Sequence, residues 1–235
     1  MKVLYIGILK NETKPAIELC AERDLSSFGR FTRGSVGEFP ELWQVTRTEG
    51  HKLIAAQMSF TAKTVASRTL PGQRQDVEES DYTFHAYGRS EGVCGLMITD
   101  HEYPSLVAHQ LLSKVCDEFL SKYPRSAFAN ATESANMSYP ELKDYIVKYQ
   151  DPQQADSIMK IQKELDETKI VLHKTIESVL ERGEKIDNLV QKSDELSASS
   201  KMFYTQVSDQ ELATESSVML TQSQAKKQNS CCIVM

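Results

Sequence analysis

The sequence predicts an α+β protein: a first domain with an antiparallel sheet and helices, then one long helix and a flexible tail. Three observations carry this. Nine of the ten glycines lie at or before Gly95, the last proline is Pro152, and beyond it Gly183 is the single helix breaker. Short apolar runs bounded by turn residues fill the first half. From Ile158 onward, apolar or small residues recur at alternating steps of three and four.

Within the first part, Met1 to Lys10 and Pro15 to Ala21 read as strands around a turn at Asn11 to Lys14. Val3 to Leu9 is too short, and runs too directly into Lys10, Asn11 and Glu12, for a signal-peptide core. A helical region extends from about Ser35 to Arg68, with an interruption. Three strands follow, among them Tyr82 to Tyr87, which alternates, and Val93 to Thr99, which is more uniformly apolar. Pro104 suits the first position of a helix. Behind it Leu106, Val107, Leu111, Leu112, Val115, Cys116, Phe119 and Leu120 form a wide apolar face that stops before Pro124. A third, shorter helix covers Tyr139 to Tyr149. The expected sheet has five antiparallel strands and the expected domain spans 1–140, with a linker over 141–152.

Net charge of -6 and a pI near 5.5 argue against general affinity for nucleic acid. No segment approaches the roughly 18 to 20 apolar residues needed to span a bilayer. Cys20, Cys94 and Cys116 stand alone in apolar surroundings and read as buried thiols, without the spacing of a metal site or a disulfide framework. No metal or cofactor is expected. Asn11, Asn130 and Asn136 head glycosylation sequons, which matter only in a secretory lumen.

The repeat in the second part runs through Ile158, Ile161, Leu165, Thr168, Leu172, Thr175, Val179, Arg182, Ile186, Leu189, Ser193, Leu196, Ser200, Phe203, Val207 and Gln210. A sustained 3-4 repeat keeps one seam of a helix facing partners in a left-handed coiled coil. Burying each large seam residue contributes roughly 1.5 to 3 kcal/mol, which a lone helix cannot collect. Such a helix would be about 80 Å long, against a domain nearer 30 Å across, so the seam calls for foreign helices. Arg182 is a permanent cation inside that seam, costly unless its donors are satisfied and useful for fixing register. Met159, Ile170, Ile176, Leu180 and Val190 are apolar but off register.

Glu164-Leu165-Asp166-Glu167-Thr168-Lys169 through Val179-Leu180-Glu181-Arg182-Gly183-Glu184-Lys185 resembles the R-SNARE motif of the synaptobrevin-type proteins. Asp24 to Gly29, Arg33 to Phe39 and Ile98 to Pro104 are similar to segments of a longin domain, a profilin-like fold with three helices. The resemblance implies a vesicle-fusion protein whose motif, over 153–212, forms a parallel four-helix bundle with three Q-SNARE helices. It places Arg182 in an ionic layer with three glutamines, and Ile158, Ile161, Leu165, Leu172, Val179, Ile186, Leu189, Leu196 and Phe203 in hydrophobic layers. It also implies recycling by a disassembly ATPase with its adaptor, and a closed form that hides the lipid. The off-register residues either flank the core of the bundle or, in that form, pack back on the longin domain, with Phe39 and Phe60 as candidate contacts. Pro40 to Gln57 and Thr205 to Ser223 depart from the family pattern; each is either an insertion or translated intron sequence.

The tail, 213–235, ends Cys231-Cys232-Ile233-Val234-Met235. Cysteine, two aliphatics and methionine fit a prenylation signal, with a prenyltransferase placing farnesyl on Cys232 before carboxyl methylation. One lipid binds only marginally, so Cys231 is the expected second site, palmitoyl or a second prenyl, helped by Lys226 and Lys227. The expected location is the cytosol and the cytoplasmic face of endomembranes: Golgi, ER–Golgi vesicles, endosome or vacuole. A prenylated small GTPase is the competing reading. Gly29 to Ser35 lacks the phosphate-loop lysine, and no Asn-Lys-x-Asp motif occurs. An enzyme, such as a thiol acyltransferase, is disfavoured because His85, His101 and His109 have no evident nucleophile partner and no nucleophile elbow exists.

Overall fold

The computed structural model describes residues 2–26, 47–132, 135, 137–151, 169–202 and 204–205. They fall into two units that part after Ile186.

In the first unit, strands β1 (Val3–Lys10), β2 (Ile17–Arg23), β3 (Arg74–Glu79), β4 (Tyr82–Gly88) and β5 (Val93–Asp100) pair antiparallel, as the alternation predicts. The sheet order is β2-β1-β5-β4-β3-β6. All eight residues of β1 are buried, which is why it reads as a nearly continuous apolar run rather than an alternating one. One face carries helices α2 (Ser105–Lys122) and α3 (Glu141–Lys148), whose Leu111, Val115, Phe119, Leu142 and Ile146 close a core over Val3, Ile6, Ile8 and Met97. Helix α1 (Arg47–Ala66) packs on β1, β2, β4 and β5 and buries Met58, Phe60, Ala62 and Val65. A polar cluster ties α1 to the sheet: Tyr5 Oη donates to Glu18 (2.9 Å), and Arg23 bridges Glu18 (2.7 Å) and Ser59 (2.6 Å).

Three expectations change. Residues 47–57, the larger part of the stretch that departs from the family pattern, are helical within α1; 27–46 lie outside the described residues. The segment expected as a linker after 140 is instead part of the folded domain, because α3 contributes to the core. Gln150 then takes up the open end of β1. Val3 N donates to its Oε1 (3.0 Å), and its Nε2 donates to Val3 O (2.7 Å), as a neighbouring strand would. The largest change is beyond Lys169. One continuous helix was expected there, and the chain instead forms strand β6 (Ile170–His173), a 3-10 turn (Ile176–Val179), and helix α4 (Ile186–Lys192). The sheet is therefore six-stranded and mixed, since β6 joins β3 in parallel. The reason lies in the seam itself: with no partner helix present, a long helix would leave its apolar residues in water.

Buried thiols fit the reading of core cysteines. Cys20, Cys94 and Cys116 are free and buried, and burial pushes Cys20 and Cys116 each up to about 12. None is a ready nucleophile.

Candidate functional site

The site is the edge of the sheet. Strand β3 ends the antiparallel array with a row of unpaired backbone groups, and such an edge pairs readily with any extended segment that reaches it. Here β6 does so, in the register Arg74↔Ile170, Gln75↔Val171, Asp76↔Leu172 and Val77↔His173.

Side chains then fix that register. Lys174 Nζ reaches Glu78 Oε2 (3.1 Å), and Ile176 N donates to Glu79 Oε2 (3.0 Å). Ile176 is fully buried where its turn packs against β3. Its burial contributes roughly 1.5 to 3 kcal/mol, whereas an exposed pair such as Lys174–Glu78 contributes about 0 to 1 kcal/mol. Ile176 therefore supplies the affinity and the ion pairs supply the alignment.

Further on, the chain reverses through Glu181 to Glu184. Glu184 N donates to Glu181 O (2.9 Å), and Glu181 N donates back to Glu184 Oε2 (3.0 Å). Gly183 sits at φ +90°. Arg68, just past α1, holds this turn by a 2.7 Å pair to Glu184, and Lys14 pairs with Glu181. The Arg68 hydrogen bond, then the Glu181 amide, lower the Glu184 carboxyl below its ordinary range.

Each residue singled out from the sequence has a definite place or lies outside the described residues. Arg182 is exposed, at the tip of the turn. Leu172 is 53% exposed, Val179 and Leu189 are half-buried, and Ile186 and Leu196 are buried. Ile158, Ile161, Leu165, Phe203, Cys231, Cys232 and Phe39 lie outside the described residues. Phe60 is buried on α1. The off-register residues are covered to much the same degree, with Ile176 and Val190 buried and Ile170 and Leu180 half-buried, so among the described apolar seam residues Leu172 is the exposed one. Ile170 and Ile176 sit beside β3 while the seam residue Leu172 between them faces water.

A second cluster lies directly behind β3 and was not legible as a site in the sequence. Asp76 Oδ1 accepts from His85 Nδ1 and His109 Nε2, both at 2.7 Å, and Ser105 Oγ donates to its other oxygen. The four residues come from β3, β4 and α2; Asp76 and His85 face each other in the hairpin register. That hairpin register is the one sequence signal from which the pair could be found. The serine binds the carboxylate rather than a histidine, so no nucleophile–base contact exists here. The 2.7 Å spacings are hydrogen bonds; zinc ligands at 2.0 to 2.1 Å from the ion stand roughly 3.3 Å apart. The cluster is a structural network that locks β3 to β4 and α2. Burial would raise the Asp76 pKa, but the His109 and His85 hydrogen bonds outweigh it and hold the carboxylate well below its usual range. Burial lowers the pKa of His109, with the Asp76 hydrogen bond opposing.

Among the described residues, no helix is long and apolar enough to cross a membrane. A Longin family, described as a regulated-SNARE-like domain, matches residues 47–146, and the Synaptobrevin family matches 157–214. The synaptobrevin homolog ykt6 of Schizosaccharomyces pombe is 50% identical over 234 residues, with all of both chains covered. The chain is a longin-type R-SNARE. The synaptobrevin homolog YKT6 of Saccharomyces cerevisiae is likewise 50% identical over 236 residues, and the VAMP-like protein YKT61 of Arabidopsis thaliana 41% over 237, both with full coverage of the two chains. An R-SNARE of vesicle trafficking works with SNARE partners, and the β3 edge carries part of the segment that matches the Synaptobrevin family.

The histidine network has a measurable consequence. His109 binds protons more weakly folded than unfolded, so the stability it confers is intact above about pH 6.5 and lost as pH falls below that. Urea midpoints should drop between pH 7.5 and 5.5, and His109→Gln, which keeps a donor to Asp76, should flatten the dependence.

Proposed function

We propose that this R-SNARE drives membrane fusion by zippering residues 153–212 into a parallel four-helix bundle with three Q-SNARE helices. In the free chain, part of the same segment is docked as β6 on the longin domain. Arg182 takes the ionic layer, and Ile158, Ile161, Leu165, Leu172, Val179, Ile186, Leu189, Leu196 and Phe203 take hydrophobic layers. No bond is made or broken; hydrophobic burial along the seam supplies the work. A disassembly ATPase and its adaptor return the helix to the free pool.

The observation that carries this reading is that the docked segment leaves seam residues uncovered. Ile176 is buried against β3, while Leu172 is half-exposed in the docked strand and Arg182 is exposed at the turn. A segment needed only for its own domain has no use for an exposed leucine and an arginine at seam spacing. Conversely, docking and bundle are mutually exclusive, because residues 170–173 cannot be strand and helix together. The longin domain thereby restrains assembly.

Membrane attachment in this account comes from farnesyl on Cys232, made by a prenyltransferase and followed by carboxyl methylation, with Cys231 carrying palmitoyl or a second prenyl. Two lipids are needed because one gives reversible binding. The chain then exchanges between cytosol and the cytoplasmic face of Golgi, ER–Golgi vesicles and endosome or vacuole.

Mixing the full chain with three purified Q-SNARE helices should give a stable complex with a large gain in helicity by circular dichroism; no gain defeats the proposal. Arg182→Ala should lower the thermal midpoint of that complex while leaving the free chain within about 0.5 kcal/mol, since Arg182 is exposed there. Cell fractionation addresses the anchor: Cys232→Ser should move to the high-speed supernatant, and its full recovery with membranes would contradict the assignment.

A further inference from the structure

We infer that Gly183 sets the balance between the docked and the assembled states, because the two make opposite demands on its backbone. This rests on the bundle reading above and adds to it the residue that tunes it.

In the docked state Gly183 lies at φ +90°, a left-handed conformation that L side chains adopt only under strain. The turn is held at both ends: Glu184 closes it on the Glu181 amide, and Arg68 anchors Glu184 to the longin domain. It therefore cannot relax φ without giving up those contacts. In a bundle the same position is mid-helix, beside the ionic arginine, where glycine is among the poorest formers. A methyl group at Gly183 would meet no atom within 4 Å. A substitution there changes backbone preference without touching packing, which makes the site unusually clean.

The arithmetic is multiplicative. Alanine disfavours the left-handed turn by about fivefold or more and favours the helix by about fivefold. Gly183→Ala should shift the balance toward assembly by roughly thirtyfold. Asparagine tolerates the left-handed region better than alanine, so Gly183→Asn should fall between. Glycine at this position thus slows assembly twice over, which is the behaviour of a restraint rather than of a helix optimised for zippering.

Two readouts on the full chain separate the possibilities. The first needs no partner: amide hydrogen exchange of Ile170–His173 in the free chain, with Ile176→Asp as the control that undocks β6. The second is the rate of assembly with three Q-SNARE helices. Support consists of faster exchange in Gly183→Ala by fivefold or more, faster assembly in the order glycine, asparagine, alanine, and little further effect of Gly183→Ala on exchange in the Ile176→Asp background. If Ile176→Asp speeds exchange and assembly but Gly183→Ala changes neither, the inference is overturned and the docked-state reading stands. If Ile176→Asp speeds exchange but not assembly, docking does not restrain the motif and the reading beneath the inference fails.

Discussion

A sheet edge with unsatisfied backbone groups is the constraint around which this molecule is organised. Strand β3 has a partner on one side, β4, and would expose its other side to solvent and to other chains. The SNARE motif covers that edge in parallel, over Arg74 to Val77, and Ile176 seals the end. The arrangement answers two needs together. It covers the longin edge, and it takes Ile176 of the SNARE motif out of water. Because the pairing is only four residues long and its ion pairs are largely exposed, it remains weak enough to be displaced.

What holds β3 ready for this role is on its hidden side. Asp76 sits opposite Leu172 in the ladder while its carboxylate is bound by two histidines and a serine from β4 and α2. A carboxylate so satisfied can be buried without becoming a liability. The strand is thereby fixed to β4 and α2, and the proposed function asks only the segment paired to its other edge to move. Glu78 and Glu79, at the end of the same strand, turn outward to receive Lys174 and the Ile176 amide.

Much of this was legible in the residues. The five antiparallel strands followed from apolar runs and turns, α2 from Pro104 and the stripe behind it, and the 3-4 spacing around Arg182 marked the segment that matches the Synaptobrevin family. The off-register residues were also visible, and Ile176 proved to be a docking residue. Three things were hidden. Periodicity reports what a segment can do with partners, not what it does alone, so β6 was read as helix: Ile170-Val171-Leu172 is as apolar for a strand as for a helix. The boundary at 140 failed because α3 is short, and its burial depends on contacts with α2 and β1 far away in sequence. The Asp76–His85–His109 cluster is assembled by tertiary structure from residues with no shared motif.

The central claim is that one segment serves either as a strand on the longin domain or as a helix among partners, never as both. Hydrogen exchange of the β3 amides that face β6, compared in the free chain and in the assembled SNARE complex, tests it most directly. The account predicts protection over Arg74 to Val77 in the free chain and its loss in the complex. Protection that persists unchanged once the bundle has formed would contradict it.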